Sequence, residues 1–381
     1  MSISGSTPFP IHRVKRSFLR DDRRLATFDL RPLTNAVTPV RQLSPLTDPD
    51  WDAKVADLPG ATFFHGAAWA RVLREAYGFK PAYFAEEEGG RLRSLLPVLE
   101  VNSWLTGRRG VSLPFTDSCA PLGADPAAFA RLLAAATCLG RSRRWYYLEL
   151  RGGRSLLPAA PVFSWYFNHA LDLRKDETSL FAGFESSVRR AVRKAEKSDL
   201  QIEFSRSLDA VRAFYGLHCR SRKRQGAPPQ PFRFFETAWR HVIAENKGWV
   251  VLARQGATPV AGAVFLHWGP TALFKFGASD ERYQELRPNN LVMARAIQWH
   301  RQHGFTSLDF GRTAPYTEGL RRFKLSWGAA EDRTEYLKFN FHRNRFIAGS
   351  NASAPRSMSA MKQLPLPVLR LFGALLYRHV A

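Results

Sequence analysis

A mixed α+β protein made of two similar halves is the expectation from this sequence, on three observations. Short segments of alternating apolar and polar residues are interleaved with segments of helical period. A Gly/Pro-rich stretch, residues 152–161, divides the chain into a shorter and a longer block of the same mixture. Hydrophobic residues make up 45% and aromatics 13% of 381 positions, ample for two packed cores and too much for a disordered chain.

The elements follow in order. Residues 1–36 are rich in Ser, Pro and Arg without a clear period. They read as a disordered basic N-terminal arm, or as a start placed too far upstream. The first half, 37–151, opens with a strand at 40–43. Asp48 or Asp50 caps a helix that runs to Leu58. Trp69, Val72, Leu73 and Tyr77 share one face of a helix at 67–77. Strands at 82–86 and 91–101 flank the Gly89-Gly90 turn. A Pro-rich loop at 112–123 carries Asp117 and Cys119. Asp125-Pro126 starts a helix to about Leu139, and a strand at 145–151 closes the half.

Past the linker, the second half, 162–345, begins with a strand at 166–173, one helix at 179–198 and a strand at 201–204. Helices at 210–224 and 232–245 are split by the break at 226–231. A three-strand meander covers 249–254, 260–268 and 271–278. Residues 287–328 organise the rest. Leu291, Ala294, Ile297 and Gln298 share a helix face, Pro288 fits a first turn, Asn289 or Asn290 caps and Gly304 ends the helix. A strand at 307–310 then opens into a polar loop that leads to Lys324. A helix feeding a strand whose end opens into a loop is how α/β proteins present chemistry. A strand at 333–341 completes the half. Residues 346–381 read as a flexible segment followed by an amphipathic helix with Leu369, Phe372, Leu375 and Leu376 on its apolar face. That helix suits a peripheral membrane or partner contact, or docking on its own domain.

The formal charge is +23 and the isoelectric point about 10.6. This suits a polyanionic partner such as phosphate, nucleic acid or an anionic membrane surface, and equally a solvated Arg-rich exterior. The three cysteines, Cys119, Cys138 and Cys219, have no paired spacing. They make neither a disulfide framework nor a metal site and fit a reducing cytoplasm. The leading residues lack the apolar core of a secretory signal, and no run of apolar residues is long enough to span a bilayer.

Several motifs then line up: Arg287-Pro288-Asn289-Asn290-Leu291, Phe305-Thr306-Ser307-Leu308-Asp309-Phe310-Gly311-Arg312, Glu318-Gly319-Leu320, Phe323-Lys324 and Trp327-Gly328, with PFTDSCAPL at 114–122. In this combination the chain resembles the FemAB family of aminoacyl transferases and the FemAB-like, or GNAT-like, acyltransferases of exopolysaccharide gene clusters. The resemblance covers roughly residues 40–342. It implies two tandem GNAT-like (acyl-CoA N-acyltransferase) domains. The long helical arm of peptidoglycan-bridge members is not expected, because the second half has no heptad run. Some arm-bearing members use a transfer-RNA donor.

Three residues are catalytic candidates. Acyl transfer builds negative charge on the attacked carbonyl oxygen, which a fixed Lys324 cation would stabilise. The resemblance places the matching lysine near the donor carbonyl, with Phe323 packing its stem. Asp309 and Asp117 are candidate bases for an acceptor amine. Asp309 also suits a structural ion pair with Arg312, and Asp117 a turn cap. Arg312, Tyr316, Arg287, Asn289 and Asn290 are substrate-binding candidates. So are Arg189, Arg193 and Lys194, on the cationic face of the 185–198 segment, where they suit the diphosphate of a nucleotide- or lipid-linked saccharide. The donor stays open between acyl-CoA and an aminoacyl carrier. The Arg287–Asn290 stretch lacks the glycines of a phosphate-cradling loop, and Pro288 lacks an N–H, which disfavours ordinary CoA use. The expected partner is a phosphorylated or lipid-linked saccharide of the cell envelope, with nucleic acid less favoured and no metal implied. An acetyl-CoA-dependent N-acetyltransferase and a non-catalytic binding module are the alternatives.

Overall fold

In the computed structural model, residues 38–349 and 359–380 are described. The basic arm expected at 1–36 and much of the flexible segment expected after residue 346 lie outside them. The strands are β1 (Val40–Leu43), β2 (Lys80–Pro81), β3 (Tyr83–Glu88), β4 (Arg91–Leu96), β5 (Leu99–Ser103), β6 (Gly107–Val111) and β7 (Tyr147–Arg151), then β8 (Ser164–Asp172), β9 (Leu200–Ser205), β10 (Gly248–Gln255), β11 (Thr258–Trp268), β12 (Thr271–Ser279), β13 (Ser307–Thr313), β14 (Ala330–Asn340) and β15 (Arg345–Phe346). The helices are α1 (Trp51–Ala56), α2 (Ala67–Tyr77), α3 (Pro126–Ser142), α4 (Glu177–Ala182), α5 (Ser186–Glu196), α6 (Leu208–Arg224), α7 (Phe232–Ala238), α8 (Pro288–Gln302), α9 (Glu318–Leu325), α10 (Ser359–Gln363) and α11 (Leu366–Leu376).

Three strands form a small sheet in the order β1-β3-β4. The others form one continuous sheet, β2-β5-β6-β7-β14-β8-β13-β12-β11-β10-β9, with β15 against β14. Each half contains one parallel pair joined by a helical crossover: β6-α3-β7, with Arg109 opposite Tyr147, and β12-α8-β13, with Thr271 opposite Ser307. This shared β-α-β element is the structural content of the repeat that the sequence suggested. β14 joins the halves, because its one edge pairs with β7 and the other with β8. Leu337 and Phe339 of β14 bury their side chains with Trp145, Leu148, Leu150 and Phe129 of the first half.

Several local expectations change. The single strand at 91–101 is two, because Pro97 offers no N–H to continue a ladder. The strand over residues 107–111 goes undetected in sequence, since Gly-Arg-Arg-Gly has little strand propensity. The helix at 179–198 is two, broken at Gly183. Neither Asn289 nor Asn290 caps α8. Arg287 takes that place in a left-handed conformation, φ +56°, and Pro288 starts the helix. The buried face of α8 is Leu291, Val292, Met293, Ala296, Ile297 and His300, broader than the stripe read from the sequence. Residues 318–325, expected as loop, are the helix α9.

β14 therefore carries both halves, and Leu337 is fully buried on it. Leu337→Ala is expected to lower unfolding stability by about 2–5 kcal/mol, read as a shift in the urea midpoint. A loss under about 1 kcal/mol would show that the seam is not a structural core.

Candidate active site

The site begins where β12 and β13 part. They pair over Thr271–Leu273 with Ser307–Asp309 and then diverge. β12 stays on β11 as far as Ser279 opposite Ala261, while β13 stays on β8. The β13–β8 register jumps between Asp309↔Ala170 and Arg312↔Asn168, so β13 carries one extra residue, a bulge. Gly311 sits in it with φ +67°, and a Cβ there would lie 3.1 Å from the Asp117 carboxyl carbon. The bulge carries the Gly311 and Arg312 carbonyls. Lys324, on α9, donates to both, at 2.7 and 3.0 Å. Its side chain is buried, and burial pulls its pKa down to about 8 against the opposing charges of Asp117 and Asp309.

The cleft opens into a cavity of about 590 Å³. Its walls are the 115–117 loop of the first half, the outer part of β12, the end of β13, α6, the start of α8 and α9. Asp117 reaches into it and pairs with Lys275 of β12 at 2.9 Å. The Lys275 Nζ also donates to Phe115 O at 2.9 Å and lies 4.7 Å from the Phe64 ring centre. Burial works against ionisation of Asp117, but the Lys275 and Arg312 charges outweigh it and hold the carboxyl below its ordinary pKa. Burial pulls the Lys275 pKa down in turn, although Asp117 opposes this. Arg312 donates to Tyr336 Oη at 2.7 Å and stacks 4.4 Å from the Tyr166 ring centre, and Tyr336 Oη donates to Asp117 O at 2.6 Å.

Asp309 accepts the Gly311 N–H at 2.7 Å. Burial, then the neighbouring Asp117 charge, push its pKa up to about 6. That is a base matched to neutral pH, but Asp309 is not among the residues lining the cavity, whereas Asp117, Arg312, Phe323 and Lys324 are. The ion pair expected between Asp309 and Arg312 is replaced by the Arg312–Tyr336 contact. Asn289 also lines the cavity and donates to Ser279 Oγ at 2.9 Å.

The remaining candidates disperse. Arg287, Asn290 and Lys194 line a separate groove of about 430 Å³ between α5 and the start of α8, and Arg190 joins them. Arg189 and Arg193 do not line it: Arg189 donates to Ala182 O at 3.2 Å, and Arg193 lies 5.8 Å from the Phe181 ring centre. Tyr316 is exposed and lines neither space. At the start of α8 the Arg287 N–H is taken by Gln284 O and the Asn290 N–H by Arg287 O. With Pro288 between them, the backbone offers little to a pyrophosphate. Cys119 is buried and its thiol pKa pushed well above ordinary values, so it is no nucleophile.

Sequence reading missed Lys275 and His218. Lys275 had a signal, a lone charge inside the apolar strand Leu273-Phe274-Lys275-Phe276. His218 had none. It lies on α6, buried at the cavity wall, with Nε2 lacking a hydrogen-bond partner among the described residues. Burial lowers its pKa to about 3, so the imidazole is neutral.

Comparison with known proteins fits this geometry. Residues 182–325 match the family model of the acetyltransferase (GNAT) domain. Over 75 residues the chain is 33% identical to the lipid II:glycine glycyltransferase of Staphylococcus saprophyticus and 31% to that of Staphylococcus epidermidis. Each match spans 18% of this chain and 18% of the relative. Among solved structures, FemX superposes with a TM-score of 0.63 at 15% identity, covering 78% of this chain and 96% of FemX. A tandem GNAT protein from the clavulanic acid biosynthesis pathway gives 0.53 at 14% identity, covering 80% and 98%. The fold is thus a tandem GNAT fold, with the acetyltransferase (GNAT) domain match in its second half, and the 75-residue matches cover less than a fifth of the curated relatives' length.

Proposed function

We propose that the chain transfers an acyl or aminoacyl group onto an amine or hydroxyl of a cell-envelope or exopolysaccharide precursor, with a lipid-linked saccharide as acceptor. One observation carries the reading: a buried ammonium, Lys324, fixed by two carbonyls at the wall of a cavity between splayed strands. The relatives named for glycyl transfer to lipid II support the acceptor class.

The reaction is direct transfer. The acceptor nitrogen or oxygen attacks the donor carbonyl carbon, and negative charge collects on the carbonyl oxygen. The Lys324 ammonium meets that charge without having to reorganise, since two of its three N–H groups are already held. The new bond forms, the donor's ester or thioester bond breaks, and the acceptor's proton is passed on to the departing oxygen or sulfur, so that the carrier leaves as its alcohol or thiol. Asp117 stays ionised and holds the acceptor's N–H or O–H. The unpaired His218 Nε2 supplies a second acceptor of hydrogen bonds on the same wall. Asp309, with its pKa near 6, is held behind the wall by the Gly311 N–H and does not itself line the cavity. Arg190, Lys194 and Arg287 provide side-chain cations for donor phosphates where backbone groups are taken. The proposed seat of this reaction is the cytoplasmic face of the membrane, and residues 37–151 and 162–345 are its proposed two units.

Three outcomes are expected. Lys324→Met should reduce kcat by about 10²–10³-fold with its circular dichroism unchanged, and activity within tenfold of the parent would sink the assignment. The parent's rate should fall as pH rises through about 8, where the folded Lys324 loses its proton, and Lys324→Met should lack that limb. Acetyl-CoA should bind no tighter than about millimolar by calorimetry. Micromolar binding would shift the reading to a CoA-dependent N-acetyltransferase on an amino sugar.

A further inference from the structure

Helix α11 docks by one face and shows a second apolar face to solvent. Leu369 is buried, and Gly373 packs so close that a Cβ would meet Pro229 O at 1.9 Å. Tyr377, just past the helix, donates to Pro228 O at 3.3 Å and lines the active-site cavity. This corrects the stripe read from sequence, since Leu369 points inward and Phe372 and Leu375 do not. Val368, Leu371, Phe372 and Leu375 recur at helical spacing on the outside, with Leu371 59% and Leu375 58% exposed. The helix already has its packing partner, so this stripe is not a face awaiting a core.

A distant segment joins the stripe. Beyond the helix, His379 is buried on the hairpin between β5 and β6. Its Nδ1 lies 2.9 Å from Ser103 Oγ, and its carbonyl accepts from Thr106 Oγ1 at 2.8 Å and Arg109 Nη2 at 2.7 Å. The hairpin tip presents Trp104, 84% exposed and edge-on to His379, next to Leu105. Val380 is exposed beside them. A groove of about 550 Å³ runs along α11, lined by Tyr215, Phe232, Leu371 and the cations Arg212 and Arg370. Charge complements the apolar face. Residues 336–381 hold seven Lys and Arg and no Asp or Glu, and Arg108, Lys362, Arg370 and Arg378 are exposed around the patch.

We propose that the Trp104-Leu105 hairpin tip and helix α11 together seat the protein on an anionic lipid bilayer. An exposed tryptophan at a hairpin tip, an outward aliphatic stripe and a rim of cations, of which only Arg212 is paired with a carboxylate, that of Asp209, match the interfacial zone of such a membrane: apolar depth, amphipathic ring level and phosphate charge. Among the described residues no helix is long and apolar enough to cross a membrane, so the contact lies on the surface. Because Tyr377 joins this surface to the cavity, seating would bring the cavity to the headgroup layer. That consequence rests on the lipid-linked acceptor proposed above; the binding itself does not.

The test is co-sedimentation of the full chain with phosphatidylglycerol–phosphatidylcholine vesicles and with phosphatidylcholine alone. Binding is expected to the anionic vesicles and to weaken as salt rises. Trp104→Ser/Leu105→Ser and Leu371→Ser/Leu375→Ser should each reduce partitioning about tenfold or more, with melting temperatures unchanged because the altered residues are exposed. Transfer to a soluble acceptor analogue should survive both pairs, so membrane seating and catalysis are read separately. No binding to anionic vesicles, binding indifferent to both pairs, or a dimer in light scattering that the same substitutions dissociate would each overturn the proposal.

Discussion

The site depends on two parallel strands that stop pairing. β12 and β13 share three residue pairs and then separate, each still held by its outer neighbour. Parted strands expose backbone carbonyls, and a buried carbonyl without a partner costs about 1–3 kcal/mol. Lys324 resolves this by donating to Gly311 O and Arg312 O. The same contact fixes a cation at the cleft's edge. One requirement of sheet geometry therefore supplies both the opening and the charge that stands in it.

The charges around that lysine are mutually dependent. Asp117 comes from the first half, while Lys275, Arg312 and Lys324 come from the second, so the two halves meet through an ionic cluster as well as through β14. Isolated, any of these ions would be too costly to bury. Together they keep Asp117 ionised and leave Asp309, one step behind, with its proton held to about pH 6. The sign for stability is clear for Asp309. Its folded pKa lies above the ordinary 3.8, so the native state binds the proton more tightly and stability falls as pH rises through that window. Lys324 works the other way. Its folded pKa lies below the ordinary 10.5, so between about 8 and that value stability rises with pH. At neutral pH both groups hold a charge that burial disfavours, and such shifted groups cluster at functional sites.

The expectations from sequence divide along physical lines. Trp69, Val72 and Leu73 of α2 and the meander β10-β11-β12 were legible because local period decides them. The candidates Asp117, Arg312, Phe323, Lys324 and Asn289 come together on one cavity. Arg189 and Arg193 do not reach a cavity, because a charge pattern on a helix fixes a face and not what the face looks upon. Residues 318–325 hid as a loop because Gly319 and two adjacent arginines dilute the helical period of a single short helix.

What the sequence determined by itself was the mixed α+β class, with the repeat suggested, and the motif that carries Lys324. The first follows from periodicity, and the second from the resemblance of the residues around it. What only the tertiary structure decided was partnership. Lys275 finds Asp117 across 158 positions of chain, and His379 finds Ser103 across 276. Which strand pairs stop pairing, and which side of α11 is left facing solvent, are settled by packing between segments far apart in sequence. No local pattern encodes them, because the free energy that selects them belongs to the contact and not to either segment alone.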